Sequence, residues 1–376
     1  MKITDVKATR YTEASNLAGI GAGYEVVVTE VHTDDGITGM SYIPLHIPPN
    51  GGIGDIYVML INRNFNNLIK GEDAFANLKI WDMLYKHSTR WGRRGLPLGA
   101  ISLIDMALWD VKAKALGVPL YKLLGGPIRE RIPCYANTAH HLGPDELAER
   151  SVKYVKEGFT AVKIRGNALL TTTEEATERV KAVREAVGPD IKVMVDVNGT
   201  WDVETAIRML KLWEPYQIYW LEEPVPPDET HGFIQVHKVA QELGVYITTG
   251  EQHGTLYDFR ELIDAGAVDI IQPDSAYCGG ITEFLRIIDL ARTYSVMISP
   301  HVLQHMHMHL VASFLETMWV EFFMVDNELM NFILRLFPEP KEALQHRDGM
   351  LDLPTAPGFG LKMDPDLAER CKVAES

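Results

Sequence analysis

Residues 191–224, IKVMVDVNGTWDVETAIRMLKLWEPYQIYWLEEP, decide the fold. The run 191–197 (IKVMVDV) is short, apolar and rich in β-branched residues, the composition of a strand buried on both faces. WDVETAIRMLKLWE then places apolar residues at helical spacing, and a second apolar run, IYWL, follows at 218–221. Strand, helix and strand in that order predict a parallel βαβ unit. Working outward, further runs stand at 132–136 (IPCYA), 160–164 (TAVKI), 245–249 (VYITT), 268–272 (VDIIQ), 296–299 (VMIS) and 318–322 (MWVEF). Amphipathic stretches such as TTEEATERVKAVREAVG separate them. Eight strands alternating with helices predict an α/β fold, a (β/α)8 barrel, with an open doubly wound sheet as the alternative.

Upstream the pattern differs. KITDVKATRY and YEVVVTEVHTDDGITGMSYIP read as strands, with a hairpin turn at DDG. Two glycine-rich loops, SNLAGIGAG and LHIPPNGGIGD, interrupt this region; neither follows a strand and opens a helix, as a phosphate loop must. Residues 57–124 are helical in pattern, ending in LPLGAISLIDMALWDVKAKALGVPLYKLLGG. The tail from about 340, with PTAPGFG, is rich in turns and is expected to return to the N-terminal part.

The 376 residues suffice for one large domain or two moderate ones, with 46% hydrophobic and 23% charged residues. No apolar run is long enough to cross a bilayer, and MKITDVKATRY reads as a strand rather than a signal peptide. Cys134, Cys278 and Cys371 are far apart, which argues against a disulfide framework or thiolate zinc site and predicts a reducing, cytoplasmic setting. A net charge of −15 argues against a nucleic-acid surface and leaves an acidic substrate in need of a local cationic site.

In a barrel, chemistry gathers where strands end. Lys163 and Arg165 close the second strand on one face, a costly arrangement unless something anionic lies between them. Asp196 and Asn198 follow the third strand, Glu222 and Glu223 the fourth, Glu251 the fifth, Asp274 the sixth, His301 the seventh and Glu321 the eighth. Asp196, Glu222 and Glu251, from neighbouring strands, suit one hard divalent cation, Mg2+, which accepts a few carboxylates and leaves positions for substrate oxygens. Glu223 points elsewhere if the strand persists, and is expected to support that site from behind. A lone carboxylate after a strand is commonly a helix cap; seven successive strands ending in ionisable groups make coincidence the weaker explanation. No GxSxG elbow supports acyl transfer. In HMHMH (305–309), His305 and His309 share a helical face that excludes His307, so the tract does not read as a metal site.

This order of residues, with DVNGTW, WLEEP, TGE, QPD, SPH and ALWDVKAKALGVPLYKLLGG, resembles the enolase superfamily and its mandelate racemase subgroup over nearly the whole chain. The resemblance implies a modified TIM barrel, (β/α)7β, under an α+β capping domain, with residues 1–125 as cap, 126–335 as barrel and 336–376 packing back on the cap. It implies Mg2+ held by Asp196, Glu222 and Glu251, an Asp274–His301 proton-transfer dyad and an enediolate stabilised by the cation. It also implies that Glu321 meets the substrate carboxylate, which requires Glu321 to be protonated or strongly paired, and it suggests a homo-oligomer.

The subgroup's racemase uses two bases, the second Lys of a KxK motif and the His of the dyad. Here that Lys is Arg165, which stays protonated and is a poor base but a good fixed cation. His301 remains as the strongest base, able to take the α-proton and return a proton to a departing β-hydroxyl. That resembles the acid-sugar dehydratases, which make 2-keto-3-deoxy sugar acids. Alternatives are racemisation or epimerisation with Lys163 as the second base, cycloisomerisation, and metal-dependent carboxylate binding without turnover. The family's capping loops, here about 15–24 and 42–55, close over the distal end of the substrate. Tyr42, His46, Arg90, Arg93 and His253 are the polar candidates for recognising it, and Asn198 is a further substrate-binding candidate.

Overall fold

Strand formation at the N-terminus follows from β-branched alternation and a tight turn. In this computed structural model, which describes residues 1–14, 23–46, 52–138, 142–166 and 172–373, β1 (Ile3–Ala14), β2 (Gly23–Thr33) and β3 (Thr38–His46) form an antiparallel sheet. The β2–β3 turn closes at DDG, where Gly36 takes φ 76° and Thr33 N–H donates to Ile37 O. The helical region divides into α1 (Ile53–Met59), a π-helical turn (Leu60–Phe65), α2 (Asn66–Ile69), α3 (Asn77–Ser88), α4 (Leu96–Ala115) and α5 (Leu120–Leu123). Helix α4 is apolar nearly all round because it has no solvent face: it packs between β2 and β3 on one side and the barrel on the other.

Eight parallel strands follow: β4 (Ile132–Asn137), β5 (Ala161–Arg165), β6 (Lys192–Asp196), β7 (Trp220–Glu222), β8 (Tyr246–Thr249), β9 (Ile270–Ile271), β10 (Met297–Ile298) and β11 (Val320–Phe322). Neighbours pair in sequence order from β4 to β10, and β11 pairs with β4, closing the barrel that the alternating runs predict. The connecting helices are α6 (Pro144–Lys156), α7 (Thr173–Val187), α8 (Val203–Trp213), α9 (Thr230–Glu242), α10 (Thr255–Asp264), α11 (Gly280–Tyr294) and α12 (Gln304–Ser313). After β11 the chain makes only the six-residue α13 (Asn331–Leu336) where an eighth barrel helix would stand.

The tail divides its contacts. The hairpin β12 (His346–Arg347) and β13 (Met350–Leu351) pairs antiparallel with the start of β4, so this part belongs against the barrel rather than the cap. Beyond it, α14 (Pro365–Cys371) reaches β1, where Val373 N–H donates to Arg10 O. The glycine-rich loops at 15–22 and 47–51 lie outside the described residues, as do 139–141, 167–171 and 374–376.

Period-two alternation organises the barrel interior. Tyr135, Ala161, Met194, Trp220 and Ile270 form a dry floor, with Trp220 set edge-on to Tyr135 at 5.4 Å. Two residues further along the same strands the inward positions become Asn137, Lys163, Asp196 and Glu222, an ionic layer above that floor.

Candidate active site

The strand register sets the ionic layer. Arg165 stands beside Asp196, and Asp196 beside Glu222. Glu251 reaches the same height from the turn after β8, which runs through Gly250 at φ 144°; a Cβ there would meet Gln272 N at 2.7 Å, so only glycine fits. Asp196, Glu222 and Glu251 each offer a ligand oxygen, all within 4.8 Å of one another.

Lys163 sits among these carboxylates and is 3% exposed. Its Nζ lies 2.8 Å from Glu222 Oε1, 2.7 Å from Glu321 Oε1 and 3.9 Å from Asp196 Oδ2. Burial works against a charged amine, but Glu222 and Glu321 outweigh it and raise the Lys163 pKa well above the ordinary value. Arg165 Nη1 lies 3.5 Å from Asp196 Oδ2. The anion between the two cations of β5 is therefore supplied in part by the protein itself.

His301 Nδ1 lies 2.9 Å from Asp274 Oδ2, and its Nε2 lies 3.2 Å from Glu251 Oε2. Burial would lower its pKa, yet Glu251, the Asp274 hydrogen bond and Glu321 together raise it to about 10. Ala276 N–H fixes the other oxygen of Asp274 at 2.7 Å. Asp274 and His301 are thus hydrogen-bonded to one another, with the Nε2 edge of His301 turned toward the carboxylate triad.

Glu321 accepts from Asn137 Nδ2 and Val302 N–H, each at 2.8 Å, besides pairing with Lys163. Burial resists its ionisation, but Lys163 and His301 prevail and hold its carboxyl at about 2. Of the two states left open by the sequence, the paired one is present. Asn137 is the residue that strand-end reading missed: it is the polar end of the first barrel strand, and it completes the ring.

The remaining candidates divide. Asn198, at φ 45°, donates through its backbone to Asp196 Oδ1 at 2.9 Å and orients that carboxylate. Glu223 is buried, its oxygens 3.2 and 3.3 Å from Gln252 Nε2. His253 is buried against Phe259, and burial lowers its pKa to about 4. Tyr42 is fully buried: its ring stacks on Phe337 and its hydroxyl pairs with His305 Nδ1 at 2.8 Å, so its polar atom is committed inside the protein rather than offered to a substrate. Arg90 and Arg93 are exposed between α3 and α4, and the His46 side chain lies outside the described residues.

The donor set fits a divalent cation. Glu222 Oε2 is buried with no hydrogen-bond partner among the described residues, a state that a metal ligand explains. Burial and the neighbouring carboxylates also push Glu222 up to about 8, so mutual repulsion would be relieved by a cation.

Residues 18–125 match the family described as mandelate racemase / muconate lactonizing enzyme, N-terminal domain, and residues 146–367 match the enolase C-terminal domain-like family. The chain belongs to the enolase superfamily, in its mandelate racemase subgroup. Within the superfamily it is 31% identical over 369 residues to an L-rhamnonate dehydratase of Saccharopolyspora erythraea, covering 98% of this chain and 89% of that one. It also superposes on a racemase of Streptomyces coelicolor A3(2) with bound magnesium (TM-score 0.87, 28% identity, 99% and 100% of the two chains). An L-talarate dehydratase of Polaromonas sp. JS666, complexed with Mg and L-glucarate, aligns with TM-score 0.83 and 30% identity over 99% and 98% of the chains. The Asp196–Glu222–Glu251 triad is the Mg2+ site typical of this enzyme superfamily.

Because such a cation binds the folded protein alone, Mg2+ at 100 times its Kd is expected to stabilise the chain by about 2.7 kcal/mol. Urea melts with Mg2+ and with EDTA measure this, and Glu222→Gln should abolish most of the difference. Binding should also release protons held by the crowded carboxylates, seen as a dependence of the calorimetric heat on the ionisation enthalpy of the buffer.

Proposed function

We propose that this protein is a Mg2+-dependent dehydratase of a sugar acid, an aldonate or aldarate. The observation that carries this reading is the single well-placed base. His301 has its Nδ1 committed to Asp274 while its Nε2 faces the triad, and the position of a second base is taken by Arg165. Lys163, the other candidate base, is held protonated by Glu222 and Glu321.

When bound, Mg2+ would supply positive charge against the negative charge that builds on the substrate carboxylate as its α-proton leaves. The chain's own residues do the rest. His301 Nε2 takes the α-proton, and the C–H pair becomes the Cα–Cβ double bond as the β-hydroxyl departs. The proton on His301 passes to that hydroxyl, which leaves as water, and the enol tautomerises to a 2-keto-3-deoxy acid. Asp274 holds the ring edge-on and favours the imidazolium between the two transfers. Arg165 and Lys163 keep fixed positive charge at the carboxylate end of the pocket, with Glu321 locked by Asn137 and Val302.

Purified protein with Mg2+ and a library of acid sugars should form 2-keto acid, detected with semicarbazide. No product from any acid sugar, together with loss of optical activity from a chiral 2-hydroxy acid, would overturn the reading in favour of racemisation. We further infer a cytoplasmic homo-oligomer: exposed Leu78 and Trp91 offer apolar surface for a second copy, and sedimentation velocity tests it. No helix among the described residues is long and apolar enough to cross a membrane.

A further inference from the structure

The HMHMH tract is not part of the carboxylate group that could hold a metal among the described residues, and its three histidines are fully buried. Each is held by two partners. His305 meets Tyr42 Oη (2.8 Å) and Phe337 O (3.1 Å), and His309 meets Tyr121 N–H (3.2 Å) and Phe359 O (3.4 Å), which ties α12 to the cap and the tail. His307 points the other way, toward the mouth of the barrel. Its Nδ1 lies 3.1 Å from Val302 O, and its Nε2 lies 3.2 Å from Ser275 N and 2.9 Å from Ser275 Oγ.

Val302 immediately follows His301, and Ser275 immediately follows Asp274. We propose that His307 is a positioning residue for the Asp274–His301 dyad, a neutral imidazole that clamps together the two turns carrying the dyad's members.

The partners leave the ring one arrangement. A carbonyl only accepts, so Nδ1 must carry the proton given to Val302 O; a backbone N–H only donates, so Nε2 must be bare to accept from Ser275. Burial supports the neutral form, lowering the His307 pKa to about 4. The clamp acts where the backbone needs it. Val302 is β-branched and sits at φ 52°, with Leu303 at 35°, a conformation that persists only when its surroundings enforce it. The enforcing contacts are both side chains: Glu321 accepts from Val302 N–H and His307 donates to Val302 O. Releasing that turn would let His301 swing relative to Asp274, and a displacement of about 1 Å costs on the order of 10²-fold in rate.

The inference rests on His301 as the base, but its test does not need turnover. In protein labelled with 15N-histidine, His307 should show the Nδ1–H tautomer and fail to titrate between about pH 5 and 8. An Nε2–H tautomer, or titration in that range, overturns the clamp even if every variant misfolds. His307→Leu should lower kcat on the order of 10²-fold with KM little changed, and should shift the downfield His301 Nδ1–H resonance. His309→Leu, equally buried on the same helix, should cost comparable stability and leave both readouts near wild type. His307→Gln, which can still accept and donate, should recover part of the lost kcat. Equal effects of the His307 and His309 leucine variants on the His301 resonance would overturn the proposal. Loss of acid-sugar turnover in the wild type, with the predicted tautomer and resonance intact, would instead overturn the proposed function alone.

Discussion

His301→Asn is expected to lower dehydration by about 10²–10⁴-fold while Mg2+ still binds with near wild-type affinity. The asparagine amide can span part of the gap between Asp274 and Glu251 that the imidazole fills at 2.9 and 3.2 Å, so the site should remain assembled. What it cannot do is accept and hold a proton. Exchange of the substrate α-proton in D2O, followed by proton NMR, should therefore vanish together with product formation. Exchange that survives the substitution would remove His301 from the mechanism. The wild-type rate should rise with pH, since only neutral imidazole is a base. Without a cation the His301 pKa stands at about 10, with Glu251 contributing to it. A cation on Glu251 offsets that carboxylate, so the rising limb should lie below 10 and move upward when Mg2+ is limiting.

How much of this site the sequence carries depends on the range of the interaction that fixes each residue. The facing of Lys163 and Arg165 follows from the two-residue period of one strand, and Asp196, Glu222 and Glu251 follow from the rule that parallel strands end on one side of a barrel. Both are local facts repeated along the chain, hence legible. Asn137 was open to the same rule but offers no charge, and its role appears only when β11 returns to pair with β4 and brings Glu321 beside it. Tyr42 is ambiguous for a comparable reason: whether a tyrosine midway along a cap strand faces a pocket or a core is decided by Phe337 and His305, which arrive much later in the chain. The three histidines show the same division. Helical spacing separates His307 from His305 and His309, but their carbonyl partners lie in the tail and in the turn after β10, which no spacing rule locates.

Lys163→Met is expected to have the largest effect on stability, because it removes a cation that touches both Glu222 and Glu321. Those carboxylates are 0% and 1% exposed, so neither can turn to water for compensation. Breaking a buried pair by deleting one partner costs about 3–5 kcal/mol, more than the intact pair contributes, since a charge is left stranded. The pH dependence identifies the cause. In the wild type Glu321 is held at about 2, so the stability it contributes is fully present above the ordinary carboxylate range and is lost only as pH falls through that value. Without Lys163, Glu321 would move above its unfolded value and Glu222, already at about 8 in the wild type, would rise further, so both would bind protons in the native state. The native state then holds more protons than the unfolded one, so the variant should lose stability as pH rises, and more steeply than the wild type, in which only Glu222 of this pair is raised. Urea melts in EDTA at about pH 5 and pH 8 should therefore show the smaller deficit at the lower pH. Saturating Mg2+ should narrow the deficit further, since a cation on Glu222 replaces part of the missing charge. A deficit that ignores both pH and Mg2+ would mean that Lys163 stabilises the barrel through its packing against Tyr135, 5.9 Å from its ring centre, rather than through charge.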